Sequence, residues 1–207
     1  MLKYNYLNDD SILEMGIDEA GRGPLLGRVY VGAVILPPKD SFDSSIIKDS
    51  KKFHSKKKIE NVANYIKENA LYWSVCYEDE KTIDDINILQ ATQKAMHRCI
   101  ADITETCKEK IFLCVDGNYF NYYKGYNSIC IEGGDNQYVS IAAASILAKV
   151  DRDKYIEELC EENPELKEKY SIHTNKGYGA AKHIEGIKEH GISEFHRKSF
   201  GICRNYI

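Results

Sequence analysis

Four carboxylates fall where apolar segments give way to turns. Asp18 and Glu19 close a short apolar stretch, Asp116 closes Ile111-Phe-Leu-Cys-Val115, and Asp135 follows Gly133-Gly134. An acid at the end of a buried strand is costly unless it is paired, hydrogen-bonded or bound to a cation, and strand-end loops are where open α/β sheets build their sites. If the segments ending in Asp18 and Asp116 lie side by side, their carboxylates repel unless a divalent ion neutralises them. Hard oxygen ligands suit Mg²⁺ or Mn²⁺, which keep several waters and complete their shells with phosphate oxygens. The matching chemistry is phosphodiester hydrolysis, in which two ions about 3.5–4 Å apart activate a water and stabilise the leaving oxygen. Plainer uses stay open: Asp116 can start the turn Asp116-Gly-Asn118, and Asp135 can cap the helix after it. Asp79, Asp84, Asp85 and Glu132 read as structural, and Asp151-Arg152-Asp153 as a local salt-bridge set.

The elements that must position these acids follow from the periodicity. Residues 14–19 and 27–36 read as strands joined through the turn Gly21-Arg-Gly-Pro24, hence as a hairpin. A helix is predicted over 55–69, with Ser55 at its N-cap and Ile59, Val62, Ala63 and Ile66 on one face. Residues 71–77 return as a strand. A second helix, capped by Asp84 or Asp85, carries Ile86, Leu89, Met96 and Ile100 at helical spacing. Residues 111–115 form a fully buried strand because their apolar side chains do not alternate, and 128–132 form a weaker one. A helix from Ile141 to about Cys160 opens with small residues that permit very close packing on the sheet, and another spans 180–189. A hairpin followed by strands alternating with helices gives an α/β fold, a mixed sheet flanked by helices.

Length and composition set the bounds. A chain of 207 residues without repeats, low-complexity tracts or a Pro/Gly/Ser linker is read as one domain over 1–207. The net charge of −4 gives no overall footprint for nucleic acid, so basic stretches must do that work locally. One holds Lys48, Lys51, Lys52 and Lys56 to Lys58; the other is the C-terminal tail. Seven cysteines without C-x-x-C spacing suggest neither a zinc site nor a redox dithiol. With no apolar leader at the start and no apolar run long enough to span a bilayer, the expectation is a monomeric cytoplasmic protein that does not engage membranes.

Gly16-Ile-Asp-Glu-Ala-Gly-Arg-Gly-Pro24 strongly resembles the first motif of type 2 ribonuclease H, the bacterial ribonuclease HII family. The resemblance continues in order through Asp49-Ser-Lys-Lys52, Asn87-Ile88, Ala91-Thr92, Val115-Asp-Gly-Asn118, Gly134-Asp135, Ala142-Ala-Ala-Ser-Ile-Leu-Ala-Lys149, Lys176-Gly-Tyr178 and His196-Arg-Lys-Ser-Phe200. Each string alone is weak; the ordered set, running from Gly16 to Phe200, is specific.

The resemblance implies a ribonuclease H-like mixed five-stranded sheet flanked by helices, with a helical C-terminal segment over about 171–207 covering the substrate. It implies catalytic, metal-binding roles for Asp18, Glu19, Asp116 and Asp135, with Mn²⁺ or Mg²⁺ as cofactor. The substrates implied are RNA–DNA hybrids and duplex DNA carrying single ribonucleotides, cut on the 5′ side to leave 3′-hydroxyl and 5′-phosphate ends, an activity suited to DNA repair. Gly21, Arg22 and Gly23 resemble the sensor of the RNA–DNA junction. Tyr178 resembles the tyrosine that packs on the following deoxyribose, and Lys51 and Lys52 match phosphate-contacting lysines. The role of His196-Arg197 reads as packing, with a hold on the C-terminal segment as its alternative. A tyrosine-rich stretch over 119–126 departs from the family pattern and can stack on nucleic acid or cover the core. Two alternatives remain. Another metal-dependent nuclease of the same superfold would keep the carboxylates without Gly21-Arg-Gly23 and Tyr178. A non-catalytic binding module is disfavoured, because four carboxylates weaken phosphate binding unless metal is present.

Overall fold

The computed structural model describes residues 2–7 and 9–207. Its frame is a five-stranded sheet, built from β1 (Leu13–Ala20), β2 (Val29–Ile35), β3 (Tyr72–Glu78), β4 (Ile111–Asp116) and β5 (Asn127–Ile131), in the order β3-β2-β1-β4-β5. The first three strands are antiparallel neighbours, whereas β4 joins β1, and β5 joins β4, in parallel. Among the described residues six α-helices accompany the sheet: α1 (Lys56–Asn69), α2 (Glu80–Thr106), α3 (Val139–Glu162), α4 (Glu165–Tyr170), α5 (Ile172–Asn175) and α6 (Ala181–His190). The expected hairpin, the mixed sheet and the flanking helices are all present, with element ends displaced by one or two residues except at the start of α2, which lies earlier than expected.

Alternation along the strands sorts residues between two faces. Met15, Ile17, Val31, Ala33 and Ile35 share a core with Ala95, Met96, Cys99 and Ile100 of α2. On the other face Val34 packs with α1 and with Ala142, Ala143, Ala144 and Ile146 of α3. The small residues opening α3 bring its backbone directly onto the sheet. A β-carbon on Gly16 would sit 2.2 Å from the Ser140 carbonyl carbon, and one on Gly32 2.3 Å from the Ala144 oxygen. Asp18 follows Gly16 on this face and pairs with Gly32 in the β1–β2 register, so the same close approach sets what surrounds it.

Three local expectations are corrected. Helix α2 is capped by Asp79, which accepts from the Thr82 N–H, and not by Asp84 or Asp85. Asn87 interrupts α2 at φ 67° and accepts from the Gln90 N–H, restarting the helix. Asp84 is drawn away by the C-terminal segment, accepting from the Lys198 and Ser199 N–H groups and the Ser199 hydroxyl. Ser55 does occupy the N-cap of α1, but its hydroxyl makes no capping hydrogen bond. Asp151 and Asp153 pair with Lys67 and Lys149, while Arg152 between them turns inward and is buried. Its guanidinium donates to the Lys176 carbonyl, so the three residues are not a local ion-pair set.

Gly32→Ala should cost about 3 kcal/mol or more, at the upper end of overpacking, or roughly 6–12 °C in Tm for a chain of this size. Thermal melting of the pure variant checks this, and a wild-type melt would show that α3 has room to withdraw.

Candidate active site

Parallel pairing of β1 and β4 places Ile17 opposite Val115, so Asp18 and Asp116 emerge together at neighbouring strand ends. Asp18 is buried; it accepts from the Glu19 N–H at 2.7 Å and is approached by the Ser145 hydroxyl of α3, which in turn contacts Ser50 at 3.1 Å. Asp116 accepts from the Gly134 N–H at 2.6 Å. Gly134 can come so close because a β-carbon there would lie 2.6 Å from the Ile141 side chain. Asp135, in the 3-10 turn Gly134–Asn136, is buried, accepts from the Asn136 amide at 3.0 Å and stands 3.8 Å from the Lys51 ammonium. The turn positions Asp135 directly, and no side chain caps α3.

The electrostatics are those of a crowded anionic site. Burial, then Glu19 and Asp116, push the Asp18 carboxyl well above the usual carboxylate range. Burial also raises Glu19, against the pull of Arg22 at 3.3 Å, and raises Asp116, against the Gly134 hydrogen bond and with the added push of Asp135. Burial pulls the Lys51 ammonium down, but Asp135, Asp49, Asp18 and Asp116 outweigh it and raise it. Lys52 donates to the Asn136 side chain at 2.8 Å. The structure thus brings Asp18, Glu19, Asp116, Asp135 and Lys51 to one place. Among the described residues no three His, Cys, Asp or Glu side chains close into a cage that holds an ion unaided. An open acidic cluster still fits Mg²⁺ or Mn²⁺, which draw further ligands from water and phosphate.

Beside the carboxylates, residues Gly21 to Gly27 form a loop held largely through its carbonyls. The fully buried Arg197 guanidinium donates to Gly21 O (2.6 Å), Arg22 O (2.9 Å), Pro24 O (2.9 Å) and Gly27 O (2.8 Å). Burial pushes it down to about 9, which leaves it cationic at neutral pH. Gly21 adopts φ +90°, and a β-carbon there would meet Arg152 Nε at 2.2 Å. Leu25 N–H donates to Gly177 O, which joins this loop to the one carrying Tyr178. The half-exposed Tyr178 ring lies 3.7 Å from where a β-carbon of Gly23 would stand, under the Arg152 guanidinium. Gly21, Arg22, Gly23 and Tyr178 are therefore contiguous.

Sequence reasoning missed Arg152, Ser145 and Gly134 as parts of this neighbourhood and undervalued Arg197. The run Ala142-Ala-Ala-Ser145 held a signal for Ser145, as the polar member of a face packed on the sheet; nothing in the sequence marked Arg152. Within the tyrosine-rich stretch, Phe120, Tyr123 and Tyr126 pack on the core below α2, while Tyr119 and Tyr122 are exposed.

The ribonuclease HII family model matches residues 15–203, nearly the whole chain. The chain belongs to the ribonuclease HII family. Ribonuclease HII of Cytophaga hutchinsonii is 42% identical over 188 residues, 91% of this chain and 89% of that protein. The ribonuclease HII in a complex with PCNA from Archaeoglobus fulgidus is 25% identical, with a TM-score of 0.71 over 92% of this chain and 96% of its own. Bst-RNase HIII, solved in complex with Mn²⁺, shares the fold at 17% identity, with a TM-score of 0.72 over 95% of this chain and 69% of its own. As a ribonuclease HII, the chain is a ribonuclease H, an endonuclease of the hydrolase class.

Asp18→Asn removes a buried charge that its neighbours disfavour. A carboxyl raised on folding contributes stability that is fully present below its unfolded pKa and is lost as pH rises through its folded pKa, so at neutral pH the metal-free amide variant should melt at a higher temperature than the wild type. Added Mn²⁺ should raise the wild-type Tm and leave the variant's nearly unchanged. Equal Mn²⁺ shifts in thermal melts of the two proteins would remove Asp18 from the ligand set.

Proposed function

We propose that this ribonuclease HII hydrolyses the RNA strand of RNA–DNA hybrids and incises duplex DNA on the 5′ side of single embedded ribonucleotides, using Mg²⁺ or Mn²⁺ held by Asp18, Glu19, Asp116 and Asp135. The observation that carries this reading is the contiguity of two sites: a buried, mutually repelling carboxylate cluster, and beside it a carbonyl-anchored glycine loop with a tyrosine at its edge. Bound ions supply charge neutralisation at the scissile phosphate and an activated water, the general use of paired metals in phosphodiester hydrolysis, which leaves 3′-hydroxyl and 5′-phosphate ends.

The chain's own residues do the selecting. Gly21 carries no side chain and so leaves room for Arg152, while Gly23 is exposed and bare, so the backbone there can approach a sugar edge, where the 2′-hydroxyl marks RNA. Arg197, by holding the carbonyls of Gly21, Arg22, Pro24 and Gly27, keeps this backbone rigid. Arg22 pairs with Glu19 from a half-exposed position, which links the recognition loop to the acidic cluster. Tyr178 offers an aromatic face for the deoxyribose after the junction. Lys51 and Lys52, with side chains 80% and 61% exposed, can turn from Asp135 and Asn136 to phosphates. Residues 171–207 form the cover on this side of the substrate. A cytoplasmic setting and a role in DNA repair accord with seven free thiols and with the lesion recognised.

A duplex with one ribonucleotide should be cut on its 5′ side at a rate comparable to a long hybrid. Tyr178→Ala should slow that cleavage about ten- to a hundredfold, the loss of a stacking surface worth roughly 1–3 kcal/mol, with Mn²⁺ dependence unchanged. Single-turnover cleavage over a Mn²⁺ titration measures both. A wild type inert on the single-ribonucleotide duplex would move the chain to a different substrate class, and an unaffected Tyr178→Ala would return that ring to a packing role.

A further inference from the structure

Tyr178 sits between Gly177, at φ +84°, and Gly179. Two glycines leave a peptide with little restraint of its own, so the ring's place beside Gly23 must be fixed from outside. The Tyr178 N–H donates to the Asn175 carbonyl at 3.0 Å, and its carbonyl accepts from the Ala180 N–H at 2.8 Å and from His183 Nδ1 at 2.9 Å, among the described residues the one side-chain hydrogen bond to this peptide from α6. His183, the third residue of α6, is fully buried, as is His196, and their Nε2 atoms face each other at 3.0 Å. His196 Nδ1 lies 2.9 Å from the Ser193 N–H and 2.8 Å from its hydroxyl.

Two groups in this chain have no choice of role, and they set every proton in it. The Ser193 amide can only donate, so His196 Nδ1 accepts and the neutral ring carries its hydrogen on Nε2. The Tyr178 carbonyl can only accept, so His183 Nδ1 carries its ring's hydrogen and His183 Nε2 accepts from His196 Nε2. The hydrogen bonds then run in one direction, from Ser193 through His196 and His183 to Tyr178. Burial lowers both histidines, His196 to about 3, which keeps the pair neutral as this arrangement requires. Tyr170 packs edge-on against both rings and holds their planes. Neither histidine touches the carboxylate cluster.

We propose that His183 and His196 are positioning residues for junction cleavage: the one-way chain Ser193–His196–His183–Tyr178 sets where the Tyr178 ring stands against Gly23, and through it the preference for a deoxyribose after the ribonucleotide. This rests on the reading of Tyr178 given above. The histidines act through Tyr178, so a substrate whose RNA strand continues past the cut, and which presents no junction there, depends on them little.

Amide side chains test the chain one nitrogen at a time. An Asn amide nitrogen lies near the Nδ1 of a histidine, and a Gln amide nitrogen near its Nε2. At position 183 the required donor is Nδ1, so His183→Asn should cut the single-ribonucleotide duplex at close to the wild-type rate. His183→Gln should be about tenfold slower. At position 196 the required donor is Nε2, so the order inverts, with His196→Gln close to wild type and His196→Asn slow. Single-turnover rates on that duplex and on a continuous hybrid, with melts to confirm folding, give the comparison. The hybrid rate should change less than about twofold in all four variants. Combining His183→Gln with Tyr178→Ala should be no slower than Tyr178→Ala alone.

Equal slowing on both substrates, multiplying losses in the double variant, or wild-type rates for both slow variants would overturn the proposal while leaving the Tyr178 reading standing. A Tyr178→Ala variant that cuts the single-ribonucleotide duplex normally would remove both. Should one slow variant fail to fold, the inverted order at the other position still decides the matter.

Discussion

Helix α3 can lie on the sheet at backbone contact only because Gly16 and Gly32 present no side chains to it. The rest of the site inherits that constraint. Close seating brings the Ser145 hydroxyl to Asp18 and to Ser50, and sets Ile141 against Gly134, so that the Gly134 amide can reach Asp116. Further along the same helix it delivers Arg152 beneath Gly21 and within reach of the Lys176 carbonyl. One helix, seated by two missing β-carbons, therefore places both the acidic cluster and the Gly21–Gly27 loop beside it. Interiors packed at crystal-like density transmit such placement with little slack.

Charge is distributed in a way that a stability argument alone would not choose. Asp18, Glu19 and Asp116 are raised by burial with too little cationic compensation, while Arg197 and Arg152 are buried a short distance away and are both lowered. Buried charges without close partners of opposite sign weaken a fold. Each has a physical use here: the anions create demand for a divalent cation, and the guanidinium of Arg197 satisfies four carbonyls of a loop whose own ladder is a single bridge from Leu26 to His196. That loop is held in place without being regular secondary structure.

The succession of strands and helices along the chain, the hairpin, the close-packed α3 and the four carboxylates were legible in the sequence because each leaves a local mark, whether alternation, a Gly-rich turn, a small-residue run or an acid at a strand end; the order of strands in the sheet was not. What was not legible depends on distant partners. Asp84 reads as a helix cap until Ser199 claims it, and Asp79 then takes the cap. Arg152 reads as the centre of a charged triplet until the fold turns it inward, since nothing within Asp151-Arg-Asp153 marks which of the three is buried. Arg197 sits in a recognisable motif, but its hydrogen bonds span about 170 residues of chain, and its role emerges only in three dimensions. The histidine pair was likewise invisible, as two residues thirteen apart with no shared pattern.

The central claim is that the carboxylates at the ends of β1 and β4 act on the scissile phosphate through bound metal. The most direct measurement is single-turnover cleavage of a duplex with one ribonucleotide whose 5′ phosphate carries sulfur in place of one non-bridging oxygen, tested as each diastereomer in Mg²⁺ and in Mn²⁺. Mn²⁺ accepts the softer sulfur more readily than Mg²⁺ does. The account predicts that at least one diastereomer is cut much more slowly than the all-oxygen substrate in Mg²⁺ and regains most of its rate in Mn²⁺. Equal sulfur effects in the two metals, for both diastereomers, would contradict it.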